Sequence, residues 1–388
     1  MNIFKRYFIV NLGVLALLAG SGCASDLPRL KSVSAVEKQQ VMDGTSLFPG
    51  INLAGKLPGQ DILGLSAPMQ QFADKAVAGI TDQDQQIQAL LKAVFAADGL
   101  GMKYDEGATL TAREAFQQHR VNCLSFTTFM VSMLRYLGIN VSFNQVDIPP
   151  VWDLQDKDML VLYQHVNAIA VERDNRREVI DINMEDYDSF YPQHSIDDRT
   201  IQALFYNNRG MENLLDGDEL QAFLYLRKAL EIDPDLPFIW TNLGTLYRKR
   251  GKLDIAEVAY RIALQLDPDN LVAISKAGRN YRDMGKLKLA QQFNNRAKMF
   301  RQNNPYYLYS RARDEVLSGD YGIALDDINA AIRRYRREHR FYFLQGVIYT
   351  ALSERKQADA SFKKALELST SQRQKNTYQT KIDKLIQL

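Results

Sequence analysis

Over residues 203–372 the chain repeats itself five times at a period of 34 residues, without a single insertion. Gly210, Gly244, Gly278, Ala312 and Gly346 form one column of that repeat, and Gly217, Gly251, Gly285, Gly319 and Ser353 a second. Ala222, Ala256, Ala290, Ala324 and Ala358 form a third, and Ala229, Ala263, Ala297, Ala331 and Ala365 a fourth. A period of this length is one helical hairpin, and hairpins stacked in series make a solenoid in which each unit touches only its neighbours. Small residues in the first, third and fourth columns let two helices cross closely. The second column ends the first helix of each hairpin, where a residue in the left-handed conformation stops it. Pro234 and Pro268 mark repeat boundaries, because proline cannot continue a helix.

The second unit reads Trp240-Thr-Asn-Leu243-Gly244-Thr-Leu-Tyr247, followed by Ala256, Tyr260, Ala263 and Pro268. This resembles the tetratricopeptide repeat. Residues 373–388 are expected to form a terminal helix that covers the last apolar face. In such a solenoid the first helices line the concave side, and positions 2, 5, 9 and 12 point into it. Among them are Asn207, Arg248, Arg279, Arg282, Arg313 and Arg340, with Tyr306, Tyr309 and Phe343 in between. Five arginines in one groove suit an acidic segment or a free carboxylate on a protein or peptide partner. They equally suit an intramolecular role. Residues 201–388 hold 31 Lys+Arg against 22 Asp+Glu, so of the chain's 48 and 46 the first 200 residues keep 17 and 24. A basic rear half and an acidic front half could therefore lean on each other.

The first 22 residues read as an export signal. Lys5 and Arg6 precede an apolar run, Phe8–Ala19, that is too short to span a bilayer of ~30 Å. Leu18-Ala19-Gly20-Ser21-Gly22-Cys23 resembles the lipobox of bacterial lipoproteins, with Gly20 where an aliphatic residue is usual. The resemblance implies lipidation of Cys23 and, with Ala24 following, an outer-membrane lipoprotein facing the periplasm of a Gram-negative bacterium. A plain secretory signal is the alternative. Residues 23–60 show little periodicity and read as a tether. Nucleic acid is a poor partner for an exported chain.

With Cys23 used for lipidation, Cys123 is left as a lone thiol, so no intramolecular disulfide framework is expected. It opens a strongly apolar helical stretch that Gly138 closes. Thr111 before Glu114, and Asp82 before Gln85, are N-cap signals for helices upstream. Downstream, Ile139–Val146, His165–Val171 and Val179–Ile182 read as strands. This order resembles the core of the transglutaminase-like cysteine enzymes, over roughly residues 80–195. The resemblance implies a nucleophile, Cys123, at a helix start, a base, His165, opening a strand, and Asp181 orienting it from the next strand. Val166 and Ile180 stand where the family often has aromatic residues, and Asn167 is also unusual. A helix N-terminus and an imidazole both favour a thiolate. The Cys123 backbone N–H, the Trp152 indole and the Gln118 amide are candidate oxyanion donors. The alternative for Cys123 is a small buried hydrophobe.

The expected fold is thus an α+β transglutaminase-like (papain-like) domain over residues 61–200, followed by an all-α tetratricopeptide solenoid. Two functions follow. One is an envelope cysteine hydrolase or acyl-transferase acting on peptide or amide bonds, with repeats that recruit the substrate. The other is a non-catalytic repeat scaffold for an envelope complex. Neither needs a cofactor, and two cysteines with four scattered histidines offer no metal ligand set.

Overall fold

The computed structural model describes residues 30–53, 58–147, 151–153, 159–161, 164–171, 177–182, 191–369 and 372–386. The expected export signal and Cys23 lie outside them. The front half begins with α1 (Ala35–Asp43), α2 (Ala67–Ala76) and α3 (Gln83–Phe95). A short parallel pair, β1 (Lys103–Tyr104) and β2 (Arg120–Val121), brackets α4 (Ala112–Gln118), and then comes α5 (Cys123–Tyr136). Eleven successive residues of α5, Leu124 to Leu134, are buried, so this helix is the axis of the front core. Six strands follow: β3 (Val141–Asp147), β4 (Val151–Asp153), β5 (Met159–Val161), β6 (Gln164–Val171), β7 (Arg177–Ile180) and β8 (Gln193–Ile196). Four of them form an antiparallel sheet in the order β7-β6-β3-β8, while β4 and β5 pair with each other as a separate ribbon between β3 and β6.

The rear half is five hairpins. They are α6 (Asp198–Asp216) with α7 (Glu219–Ile232), α8 (Pro237–Lys249) with α9 (Leu253–Leu266), and α10 (Leu271–Asp283) with α11 (Leu287–Asn303). Then come α12 (Pro305–Ser318) with α13 (Tyr321–Arg334) and α14 (His339–Ala351) with α15 (Arg355–Leu368), closed by α16 (Gln372–Ile386). The 34-residue columns have the physical meaning expected of them. All five residues of the second column have positive φ, from 62° at Ser353 to 86° at Gly217. At the first column a Cβ on Gly346 would stand 2.5 Å from the Phe362 ring, and one on Gly244 2.8 Å from the Tyr260 ring. The alanines of the third and fourth columns are all buried between helices.

Two features depart from the expected division. Residues 30–53, expected as part of a tether, pack on the solenoid instead. Ser34 and Glu37 form a capping box that starts α1, and α1 lies along α9. The Tyr247 hydroxyl donates to the Val41 carbonyl (2.7 Å), Arg261 reaches Glu37 (2.6 Å) and the Lys31 carbonyl (3.0 Å), and Phe48 packs on Phe223. The two halves, moreover, share one hydrophobic core that runs without interruption from Val41 to Ala297. Repeat four and the last repeat with α16 have smaller clusters of their own.

Candidate functional site

Asn122 caps α5: its Oδ1 accepts from the Ser125 N–H (2.8 Å) and its Nδ2 donates to Thr109 Oγ1 (2.8 Å). Capping thus fixes Cys123 as the first residue of the helix, half-buried, at the end where backbone N–H groups point outward. Thr127, one turn on, donates to both the Cys123 carbonyl (2.7 Å) and the Val166 carbonyl (3.0 Å), which pins α5 against β6. His165 is the second residue of β6 and is buried. Its Nε2 lies 2.5 Å from Asp181 Oδ2, and the imidazole is within interaction range of the Cys123 thiol. Burial alone would push the His165 pKa down. The bond to Asp181 and then the interaction with Cys123 outweigh it, and the ring is pushed up to about 10. A sulfur, an imidazole and a carboxylate in series can move one proton between a nucleophile and a leaving group.

Asp181 stands one residue past β7. The pairing Ala168↔Ile180 sets it across from Asn167 and diagonal to His165. Asn167 Nδ2 donates to the same Asp181 oxygen at 3.1 Å, and Asn144 Nδ2 donates in turn to Asn167 Oδ1 at 2.9 Å and to Gln193 Oε1 at 3.1 Å. These amides were not among the candidate site residues. In the sequence Asn167 stands out only as a departure from a family pattern.

The structure brings Cys123, His165 and Asp181 together and leaves the other candidate donors apart or undescribed. Gln118 is exposed, accepts from Arg120 Nε (3.1 Å), and borders a surface cleft of about 600 Å³ with Lys103, Tyr104, Asp105 and His119. Trp152 is the middle residue of β4, but its side chain lies outside the described residues.

The groove residues divide. Asn207 is buried and accepts from Asn242 Nδ2 (2.8 Å), which ties the first helices of repeats one and two together. Arg248 is held by Asp283 (2.6 Å). Arg340 is held by the buried Glu338 (2.8 and 3.0 Å), and its guanidinium sits over the rings of Tyr306 and of Tyr191, which belongs to the front half. β4 packs on α12 nearby. Phe343 stacks on Tyr378 of α16 and Tyr306 meets Phe341, so these aromatics serve internal packing. Arg282 and Arg313 are exposed. The front half therefore occupies the groove at its far end, and the central stretch keeps exposed cations.

Family models described as tetratricopeptide repeat match residues 203–236, 237–270 and 339–372, in phase with the 34-residue period. The chain carries tetratricopeptide repeats. Such repeats bind peptide or protein partners on their curved surfaces. Among solved structures, a MamA protein is similar at 22% identity over 43% of this chain and 91% of its own, with a TM-score of 0.25. MamA from Desulfovibrio magneticus RS-1 is similar at 18% identity over 44% and 96%, TM-score 0.26. YrrB, described as a tetratricopeptide protein with an unusual peptide-binding site, is similar at 18% over 46% and 92%, TM-score 0.25. No curated protein matches the chain. The tetratricopeptide assignment rests on the matched repeats and the five hairpins.

Proposed function

We propose that the chain is a partner-binding scaffold whose tetratricopeptide groove takes an acidic segment or a free C-terminal carboxylate of another protein. The exposure of Arg282 and Arg313, in a rear half with a surplus of basic side chains, carries this proposal. The engagement of Arg340 with Glu338 and Tyr191 leaves the centre of the groove as the open part. A charged hydrogen bond contributes about 1.5–3 kcal/mol, so reversing two cations should weaken binding at least ~tenfold. The test is fluorescence anisotropy of a labelled acidic peptide with a free C-terminus. Arg282→Glu with Arg313→Glu should abolish a salt-sensitive association that Cys123→Ala leaves intact. Equal binding by all three proteins would sink the proposal. The same proposal includes a lipid on Cys23 and a position at the outer membrane, facing the periplasm. Fractionation of Cys23→Ser with membranes as complete as that of the parent chain would remove the anchor.

One contact favours a second function, that of a transglutaminase-like cysteine hydrolase or acyl-transferase: His165 bridging Cys123 and Asp181. In that chemistry the Cys123 sulfur attacks the carbonyl carbon of a peptide or amide, and His165, holding the thiol proton, delivers it to the departing amine. A thioester remains on Cys123. His165 then takes a proton from water, whose oxygen attacks the thioester, and the acid is released as the sulfur is regenerated. Asp181 keeps the ring in the tautomer that faces the sulfur. The check is alkylation by iodoacetamide at pH 6–7, where Cys123 should react well ahead of a model thiol, mostly protonated below its pKa of about 8.5. No advantage over the model thiol would remove this function.

A further inference from the structure

We infer that Asn167 is a positioning residue, holding the Asp181 carboxylate where His165 meets it, and that Asn144 holds Asn167 in turn. The inference rests on the cysteine chemistry proposed for Cys123, His165 and Asp181. Three observations carry it. First, Asn144 and Asn167 are 2% and 0% exposed on a sheet whose other buried positions, His165 apart, are Val, Ala, Ile and Phe. Burying amides costs free energy unless every polar atom finds a partner, and apolar residues fit such positions without that demand.

Second, the row runs in one direction. Asn144 spends both Nδ2 hydrogens, on Asn167 Oδ1 and Gln193 Oε1, and Asn167 spends its Nδ2 on Asp181 Oδ2. Turning the Asn167 amide over would set its oxygen against the carboxylate and its NH2 against that of Asn144. The network therefore fixes the amide's orientation. Third, the backbone alone does not aim Asp181 at the histidine. Strand register puts it opposite Asn167, with His165 two residues away on the same face of β6. The carboxylate must lean diagonally to reach Nε2, and the Asn167 amide is the second donor on the oxygen that does so.

The test is the pH profile of Cys123 alkylation in the full chain, read by mass spectrometry at that residue. Asn167→Leu removes the donor at similar volume, and Asn167→Ala removes it without adding a charge or a new donor. Asn144→Leu lets the Asn167 amide turn while Asp181 is untouched. Losing one charged hydrogen bond predicts an alkylation rate at pH 6.5 that is about tenfold lower in both Asn167 variants, with a smaller drop in Asn144→Leu. At pH 10 the rates should agree within about twofold, because a free thiol is ionised there without help. A loss equal at both pH values marks a structural role only and overturns the inference, as does a wild-type profile in both Asn167 variants. Wild-type alkylation no faster than a model thiol would remove the underlying cysteine chemistry and the inference with it. A fast wild type with unaffected variants removes the inference alone.

Discussion

Replacing Arg340 with Met tests whether the far end of the groove is consumed by the chain's own front half. The Glu338 side chain is 3% exposed, whereas that of Arg340 keeps 30%. Burial would raise the Glu338 pKa, but the two bonds from Arg340 and its charge hold the carboxyl below its usual range. Removing one partner of a buried pair costs about 3–5 kcal/mol, and the low end applies where the cation is partly solvated. The guanidinium also lies over the Tyr191 and Tyr306 rings, at 5.6 and 5.8 Å, each worth ~0.5 kcal/mol at a site this open. The total is about 4 kcal/mol. At ~2–4 °C per kcal/mol for a unit of 150–250 residues, the unfolding midpoint should fall by about 10 °C. Hydrogen exchange should rise together over 305–386 and at Tyr191.

The same variant has a signature in pH. With Arg340 gone, Glu338 is a buried carboxylate without its cation, and its folded pKa moves above the unfolded value. The penalty is then present above that folded pKa and is lost as the pH falls through it, so the Arg340→Met deficit should shrink between pH 8 and pH 5. Glu338→Gln combined with Arg340→Met should recover at least half of the loss, since no charge is left buried. An Arg340→Met deficit that is flat with pH and unrelieved in the double variant would refute the account of Glu338 and Arg340 as a buried pair.

Two further outcomes follow from local geometry. Ser353 holds φ 62° in the column where the other four repeats place glycine, and a side chain there costs ~1 kcal/mol. Ser353→Gly should therefore raise the midpoint by a few degrees, and no gain in calorimetry would contradict the strain. His165, pushed up to about 10, carries stability that is fully present below the unfolded histidine value of ~6.5 and is lost as the pH rises through about 10. The gap in midpoint between wild type and His165→Gln should therefore be widest near pH 6 and narrow towards pH 10. A gap that widens instead would reverse the assigned sign.

How much was legible beforehand depended on how local each cause is. The repeat columns could be read because each small residue answers to one fixed demand, a left-handed φ at Gly217 and its counterparts or a ring 2.5–2.8 Å from an absent Cβ at Gly346 and Gly244. The strand carrying His165 could be read from alternation and the one that ends just before Asp181 from a short apolar run, and Thr111 and Asp82 cap their helices as expected. The sequence pattern did not reveal what lies against what. Asn207 and Arg340 occupy groove positions, yet one is buried against Asn242 and the other is spent on Glu338 and Tyr191. Tyr191 comes from the front half, and no periodicity of the rear half encodes it. One local signal does stand in the sequence: Ser34 and Glu37, three apart, are a capping box inside the expected tether. The Asn144–Asn167 row was invisible for a different reason, since two asparagines on two strands acquire meaning only once the register pairs them.

The charge difference between the halves suggested two bodies attracted across a boundary near residue 200, and the contacts argue for something stronger. Among the described residues, ion pairs tie the two halves at Arg261 with Glu37 and at Arg135 with Asp198 of α6. The common core supplies the rest. Phe223 of the first repeat packs on Phe48 and lies so close to Gly44 that a Cβ there would stand 2.4 Å from its ring, and Tyr206 donates to the Gln60 carbonyl. Each large side chain returned to water costs about 1.5–3 kcal/mol, so uncovering several of them consumes much of the ~5–15 kcal/mol margin of an ordinary domain. Residues 201–388 expressed alone should therefore expose the face that the front half covers, bind a hydrophobic dye and self-associate. If that fragment ran as a monomer on light scattering with the midpoint of the whole chain, the shared core would be a contact between two independent domains and not a common foundation.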